Sequence, residues 1–136
     1  MRNDTGMPDY AIVNLLEIDD DVQGRVEGLE GRFSRKHLGS RDLGVSHWRY
    51  APNLRSPGAH SHREQEEAYV VVSGSGRVRL DDEIRDIGRW DVVRVAPEVV
   101  RQFEAGPDGL ELIAVGGPKP EGGDGQLSES PWPDGA

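Results

Sequence analysis

Between residues 43 and 115 the chain breaks into seven short stretches, each rich in β-branched or aromatic residues and each bounded by Gly, Pro or Asp. They read "GVSHWRYA", "EAYVVVSG", "GRVRLDD", "EIRDI", "WDVVRVA", "VVRQFEAG" and "LELIAVG". Such residues fit a pleated surface, and their bounding residues favour turns. Many short strands at even spacing predict an all-β sandwich or barrel. The 18 Gly and 9 Pro among 136 residues agree, because a helix bundle tolerates few of either.

The flanks differ from this middle zone. Residues 1–9 are polar and read as loose, while "YAIVNLLEI" (10–18) is apolar enough for a first strand. Residues 19–40 are charged and glycine-punctuated, with room for one helical turn. The expected organisation is an N-terminal strand and arm over 1–42 that pack on a barrel of residues 43–115. From Gly116 the chain is rich in Gly and Pro, which predicts a flexible tail over 116–136 with Trp132 as its one large anchor.

Charge and composition narrow the partners. The formal charge is −9 and the arginines are interleaved with acids, so no basic patch is expected to meet a nucleic acid. The absence of cysteine excludes disulfides, iron–sulfur clusters and thiol catalysis. No window is apolar for long enough to predict a signal peptide or a membrane span, so a cytoplasmic location is expected.

The chemistry concentrates in "HSHREQEEAYVVVSGSG", residues 60–76. Alternate residues of a strand share a face, so His60 and His62 point the same way. Glu67 follows across a bend and shares its face with Tyr69 and Val71. Two imidazoles and a carboxylate that converge suit a transition metal and leave positions open for water or substrate. The competing reading is a strand end with solvated polar residues.

This stretch resembles the first motif of the cupin superfamily: His, one residue, His, three or four residues, Glu, six residues, Gly. His60, His62, Glu67 and Gly74 meet every spacing. "WDVVRVAPEVVRQFEAG" (90–106) resembles the second motif through Asp91, Val93, Val95 and Pro97. Trp90 stands where that motif has its first glycine, and Arg101 where it has the third histidine ligand. The resemblance covers about residues 43–115. It implies a jelly-roll, or double-stranded β-helix, barrel with its site inside. It also implies a weakly held divalent transition metal (Zn, Mn, Fe or Ni) on His60, His62 and Glu67, or none. The family's functions range from oxygenases, isomerases and decarboxylases to plain ligand binding, so fold alone does not choose among them.

Other residues complete the expectation. Trp48, Tyr50 and Phe103 are placed toward the interior, as core packing or as a wall for a small-molecule ligand. Tyr69 lies one step deeper than Glu67 and can donate to it or to a ligand. His37 and His47 are read as solvent-facing. Val70 and Val72 lie on the opposite face to Glu67, which needs a cover from residues 10–18 or from the second subunit of a homodimer. Arg101 cannot ligate a cation, because a guanidinium has donors only. It is expected to pair in bidentate fashion with Glu67 without metal, and to swing outward and grip an anionic ligand with it. The other reading pairs it with Glu98 or Glu104. Two functions remain open: a metal-dependent enzyme on a small polar molecule, or a metal-free binding protein.

Overall fold

Two long antiparallel strands carry the architecture of the computed structural model, which describes residues 9–133. They are β4 (Glu67–Leu80) and β7 (Arg101–Gly116), and they pair from Glu67 against Gly116 to Leu80 against Arg101. The register shifts twice, between Val71 and Ser73 and between Gly74 and Gly76. Gly74 has φ +77°, and a Cβ there would lie 2.1 Å from the Gly109 carbonyl oxygen. Only glycine fits that approach. The irregularity bends the pair, which is how a sheet curls into a barrel.

The remaining strands attach to this pair. β1 (Leu29–Phe33) pairs with β2 (Gly44–Tyr50), and β2 pairs with β7. β3 (Ala59–His62) meets β7 at the single pair His60–Arg101 and then runs beside β8 (Gly125–Ser128). β5 (Glu83–Gly88) and β6 (Val92–Val95) both pair with β4. The result is one curled antiparallel sheet of eight strands, a jelly-roll barrel. Its core includes Tyr69, Val71, Val78, Val95, Phe103, Leu110 and Leu112. Among the described residues, no helix is long and apolar enough to cross a membrane.

Four expectations change. "EAYVVVSG" and "GRVRLDD" are one strand, as are "VVRQFEAG" and "LELIAVG", because the glycines between them form bulges rather than hairpins. "YAIVNLLEI" is not a strand. Leu15–Glu17 form a single 3-10 turn capped by Asn14, and Tyr10, Ile12 and Leu16 are exposed. Its 3-10 turn packs beside β1. The first N-terminal strand is instead β1, within the stretch expected to hold only one helical turn; that turn is α1 (Arg35–Leu38).

The fourth change concerns the chain after Gly116. It forms strand β8, and Trp132 is buried between the guanidinium groups of Arg55 and Arg77, 4.2 and 5.3 Å from the ring centre. Arg79, almost fully buried, donates to the carbonyls of Ser130 and Pro131 and to the Ser130 hydroxyl. The described part of this segment is therefore a docked strap. Residues 1–8 and 134–136 lie outside the described residues, and with them most of the stretch read as loose.

The turn before β6 offers a stability test. Trp90 has φ +74° and is largely exposed. A left-handed conformation costs a side-chain-bearing residue about 1–2 kcal/mol, part of which glycine returns through its own chain entropy. Trp90→Gly should therefore stabilise the protein by about 1 kcal/mol, a rise of a few degrees in Tm by calorimetry. A lower Tm would show that the ring packs more than its exposure indicates.

Candidate metal centre and ligand cavity

Strand alternation sets the first two groups of the site. His60 and His62 lie on one face of β3, and their rings meet edge to face with centres 5.1 Å apart. Glu67 opens β4, and its carboxylate lies between them. The Glu67 Oε1 atom is 3.6 Å from His60 Nε2 and 3.2 Å from His62 Nε2. Tyr69, one strand step deeper, donates to the same oxygen at 2.5 Å. Arg101 Nη2 stands 3.2 Å from it. One carboxylate oxygen is thus the meeting point of four side chains.

Burial pushes the Glu67 carboxyl upward. The Tyr69 hydrogen bond, the imidazoles of His60 and His62 beside the carboxylate and the Arg101 guanidinium outweigh that effect and hold it down at about 2. Burial and the neighbouring Glu67 charge push the Tyr69 hydroxyl well above its ordinary range, so it stays a donor.

Asp124 is a member of the site that the sequence reading missed. It comes from the strap, just before β8, and is buried. Its Oδ1 lies 2.8 Å from His62 Nδ1, and its Oδ2 accepts from the backbone N–H groups of Glu64 and Gln65. Burial raises the Asp124 carboxyl, and these partners lower it further, to about 2. An ionised Asp124 keeps a proton on Nδ1, so Nε2 of a neutral His62 presents a lone pair.

That lone pair faces Glu67 Oε1, and Nε2 is buried without a hydrogen-bond partner. Two acceptors 3.2 Å apart repel unless a cation lies between them, either a second proton on His62 or a metal ion. Ligand atoms about 2.1 Å from one ion and roughly 90–110° apart are separated by roughly 3.0–3.4 Å. The 3.2 Å separation falls in that range and the 3.6 Å separation just above it. The three ligand atoms all lie within 4.8 Å of one another. His60, His62 and Glu67 therefore fit a transition metal, and Asp124 orients one ligand as a carboxylate behind a metal-bound histidine does.

Arg101 works against that fit. Its side chain is fully buried, and Nη1 donates to the carbonyls of Pro97 and Val99 at 3.0 and 2.8 Å. It meets Glu67 through Nη2 alone, so the expected bidentate pair does not form. Two backbone anchors and complete burial oppose an outward swing. Glu104 is taken by Arg55 and Arg77. A fixed positive charge therefore stands behind the site and weakens its hold on any cation.

Beside this cluster lies a cavity of about 480 Å³. Its walls include Trp48, Tyr50, Tyr69, Phe103 and Leu112, with His60, His62 and Glu67 at one side. The Tyr69 and Phe103 rings pack 4.7 Å apart. Arg101 is not part of the lining, so the expected grip on a ligand by Arg101 is not available in this arrangement. The structure brings every other expected site residue to one space. His37 is exposed as expected, but His47 is buried and bonded to Glu111, 2.5 Å away.

The carboxylates also set an acid limit on stability. Glu67, Glu104, Glu111 and Asp124 all sit below their ordinary range. Groups lowered by folding contribute stability above their unfolded value, near pH 4, and lose it as pH falls through the folded value. Thermal melts should therefore be nearly level from pH 7 to about 5 and fall steeply toward pH 2. A Tm unchanged at pH 2.5 would contradict these partnerships.

Comparison with known proteins agrees with this architecture. A family model described as a cupin domain matches residues 46–116. A cupin protein from Bacteroides fragilis has a TM-score of 0.69 at 21% identity, covering 96% of this chain and 98% of its own. A polyketide cyclase from Streptomyces resistomycificus has a TM-score of 0.69 at 17% identity, with 90% and 89% covered. A variant of oxalate decarboxylase from Bacillus subtilis scores 0.68 at 21% identity, covering 78% of this chain but only 29% of that one. No curated protein matches by sequence.

Proposed function

The chain belongs to the cupin family, and from that premise we propose that it binds or transforms a small polar, anionic molecule in the barrel cavity beside His60, His62 and Glu67. The convergence of His60, His62 and Tyr69 on Glu67 Oε1, at the side of the cavity, carries this reading. Neighbours of the same fold include a decarboxylase, a cyclase and a sugar phosphate isomerase, so the reaction cannot be taken from the fold.

A divalent metal held by His60, His62 and Glu67 would supply Lewis acidity toward a bound oxygen atom. The chain's own groups do the rest. Asp124 keeps the His62 proton on Nδ1. Tyr69 holds one proton against Glu67. The aromatic walls exclude water from the ligand's apolar surface. The outward face, where Trp90 and Val92 are exposed, is a candidate surface for the second subunit of a homodimer.

A second reading rests on Arg101. Its guanidinium already balances the Glu67 charge, and a protonated His62 would satisfy both Glu67 and Asp124 without metal. The barrel would then bind its ligand without catalysis. Metal analysis of protein prepared without chelators, alongside native mass spectrometry, separates the two. The first reading expects up to one ion per chain, lost in His60→Ala. Metal-replete protein that binds no ion, with His60→Ala unchanged in every property, would leave the second.

A further inference from the structure

We infer that Arg35 and Lys119 form the anion-recognising end of the cavity, and that the molecule it takes is a small carboxylic acid with a flat apolar body. This rests on the reading of the barrel cavity as a ligand site.

Among the described residues, Arg35 and Lys119 are the only arginine or lysine side chains that line the cavity. In a chain of net charge −9, most cations elsewhere are held by acids. Arg32, Arg49 and Arg55, for instance, each pair with a glutamate. Arg35 has no such partner among the described residues. Its Nη2 donates to the Gly117 carbonyl at 3.1 Å and its Nη1 to the Arg41 carbonyl at 3.3 Å. Those bonds orient the guanidinium and leave its charge uncompensated.

The surrounding chain makes room for this group. A Cβ on Gly44 would lie 2.6 Å from Arg35 Nη2, so the glycine that opens β2 forms a cradle for the guanidinium. Gln65 Nε2 donates to the same Gly117 carbonyl at 3.1 Å, which places a neutral donor beside the cation. Lys119 is exposed and long enough to follow a ligand's charge. A guanidinium presents paired N–H groups that match the two oxygens of a carboxylate.

The rest of the wall selects the body of that acid. Trp48 packs against Phe33 with ring centres 5.3 Å apart, and Tyr50, Phe103 and Leu112 continue an apolar lining. A hydrated sugar would leave its hydroxyls unpaired against such a surface. A planar or short aliphatic body loses water favourably there. The carboxylate and the His60–His62–Glu67 cluster would then hold two different parts of one ligand.

The probes are phenylacetate and its neutral isostere phenylacetamide, titrated by calorimetry or ligand-observed NMR into the full chain and into Arg35→Gln. Zn²⁺ titration of both proteins runs in parallel. Phenylacetate should bind about 10–100-fold more tightly than the amide, and Arg35→Gln should abolish that preference while leaving zinc binding unchanged. Acid and amide of equal affinity, or a preference that survives Arg35→Gln, would overturn the inference. If zinc still binds both proteins in that case, the metal reading stands without it. Failure of both probes to bind also overturns the inference, and failure of zinc as well would take the metal reading with it.

Discussion

Removal of the chain from Lys119 onward should lower the melting temperature by about 10–20 °C. Composition alone argues for a small effect, since this segment is mostly Gly, Pro and polar residues. Its contacts argue otherwise. The loss of a buried Trp132 alone is worth about 3–5 kcal/mol by analogy with large-to-small core changes. Arg79 would lose three acceptors at residues 130 and 131, and β3 would lose its pairing with β8. For a domain of this size, 3–5 kcal/mol corresponds to about 10–20 °C. Metal binding should weaken as well, because Asp124 departs with the strap. Loss of such an orienting carboxylate costs about 10–100-fold in metal affinity. A truncated protein within 3 °C of the full chain would show that the strap only rests on the barrel.

Arg101→His should raise affinity for Zn²⁺, Mn²⁺ and Ni²⁺ by about 100-fold or more. The substitution has two effects of the same sign. It adds an imidazole at the strand position that pairs with His60. It also removes a fixed cation, which at about 5 Å from a divalent ion and an effective dielectric of about 20 is repelled by roughly 6–7 kcal/mol. The Glu67 charge offsets part of that repulsion. Without metal the variant should be less stable than the parent by about 2–4 kcal/mol, because the Pro97 and Val99 carbonyls lose their donor. Added metal should restore the Tm, since an ion bound only by the folded state stabilises it. Equal metal affinities in the two proteins would mean that residue 101 does not act on the site.

The fold was legible because its signals are local. Strand-forming residues punctuated by Gly, Pro and Asp fix the class, and the spacing from His60 to Gly74 marks the candidate site on it. Glycine was the ambiguous signal. "SGSG" at 73–76 suits a turn or a bulge equally well, and only the pairing of β4 with β7 distinguishes them. "YAIVNLLEI" misled in the opposite direction, because apolar composition does not reveal whether a partner surface exists. His47 is buried by a partner 64 residues away, Glu111. The strap was illegible for the same reason. Arg79 meets Ser130 across 51 residues and His62 meets Asp124 across 62, and nothing near Asp124 in the sequence marks it. The lone Trp132 in a polar stretch was the only hint of docking.

The central claim is that His60, His62 and Glu67 form one ion site despite Arg101. Crystals soaked in Mn²⁺ and measured for anomalous scattering test it directly. The account predicts a single strong anomalous peak within about 2.0–2.3 Å of His60 Nε2, His62 Nε2 and a Glu67 oxygen, with the Asp124–His62 hydrogen bond intact. A manganese peak elsewhere on the barrel, or none while His62 still faces Glu67 across an empty gap, would contradict it.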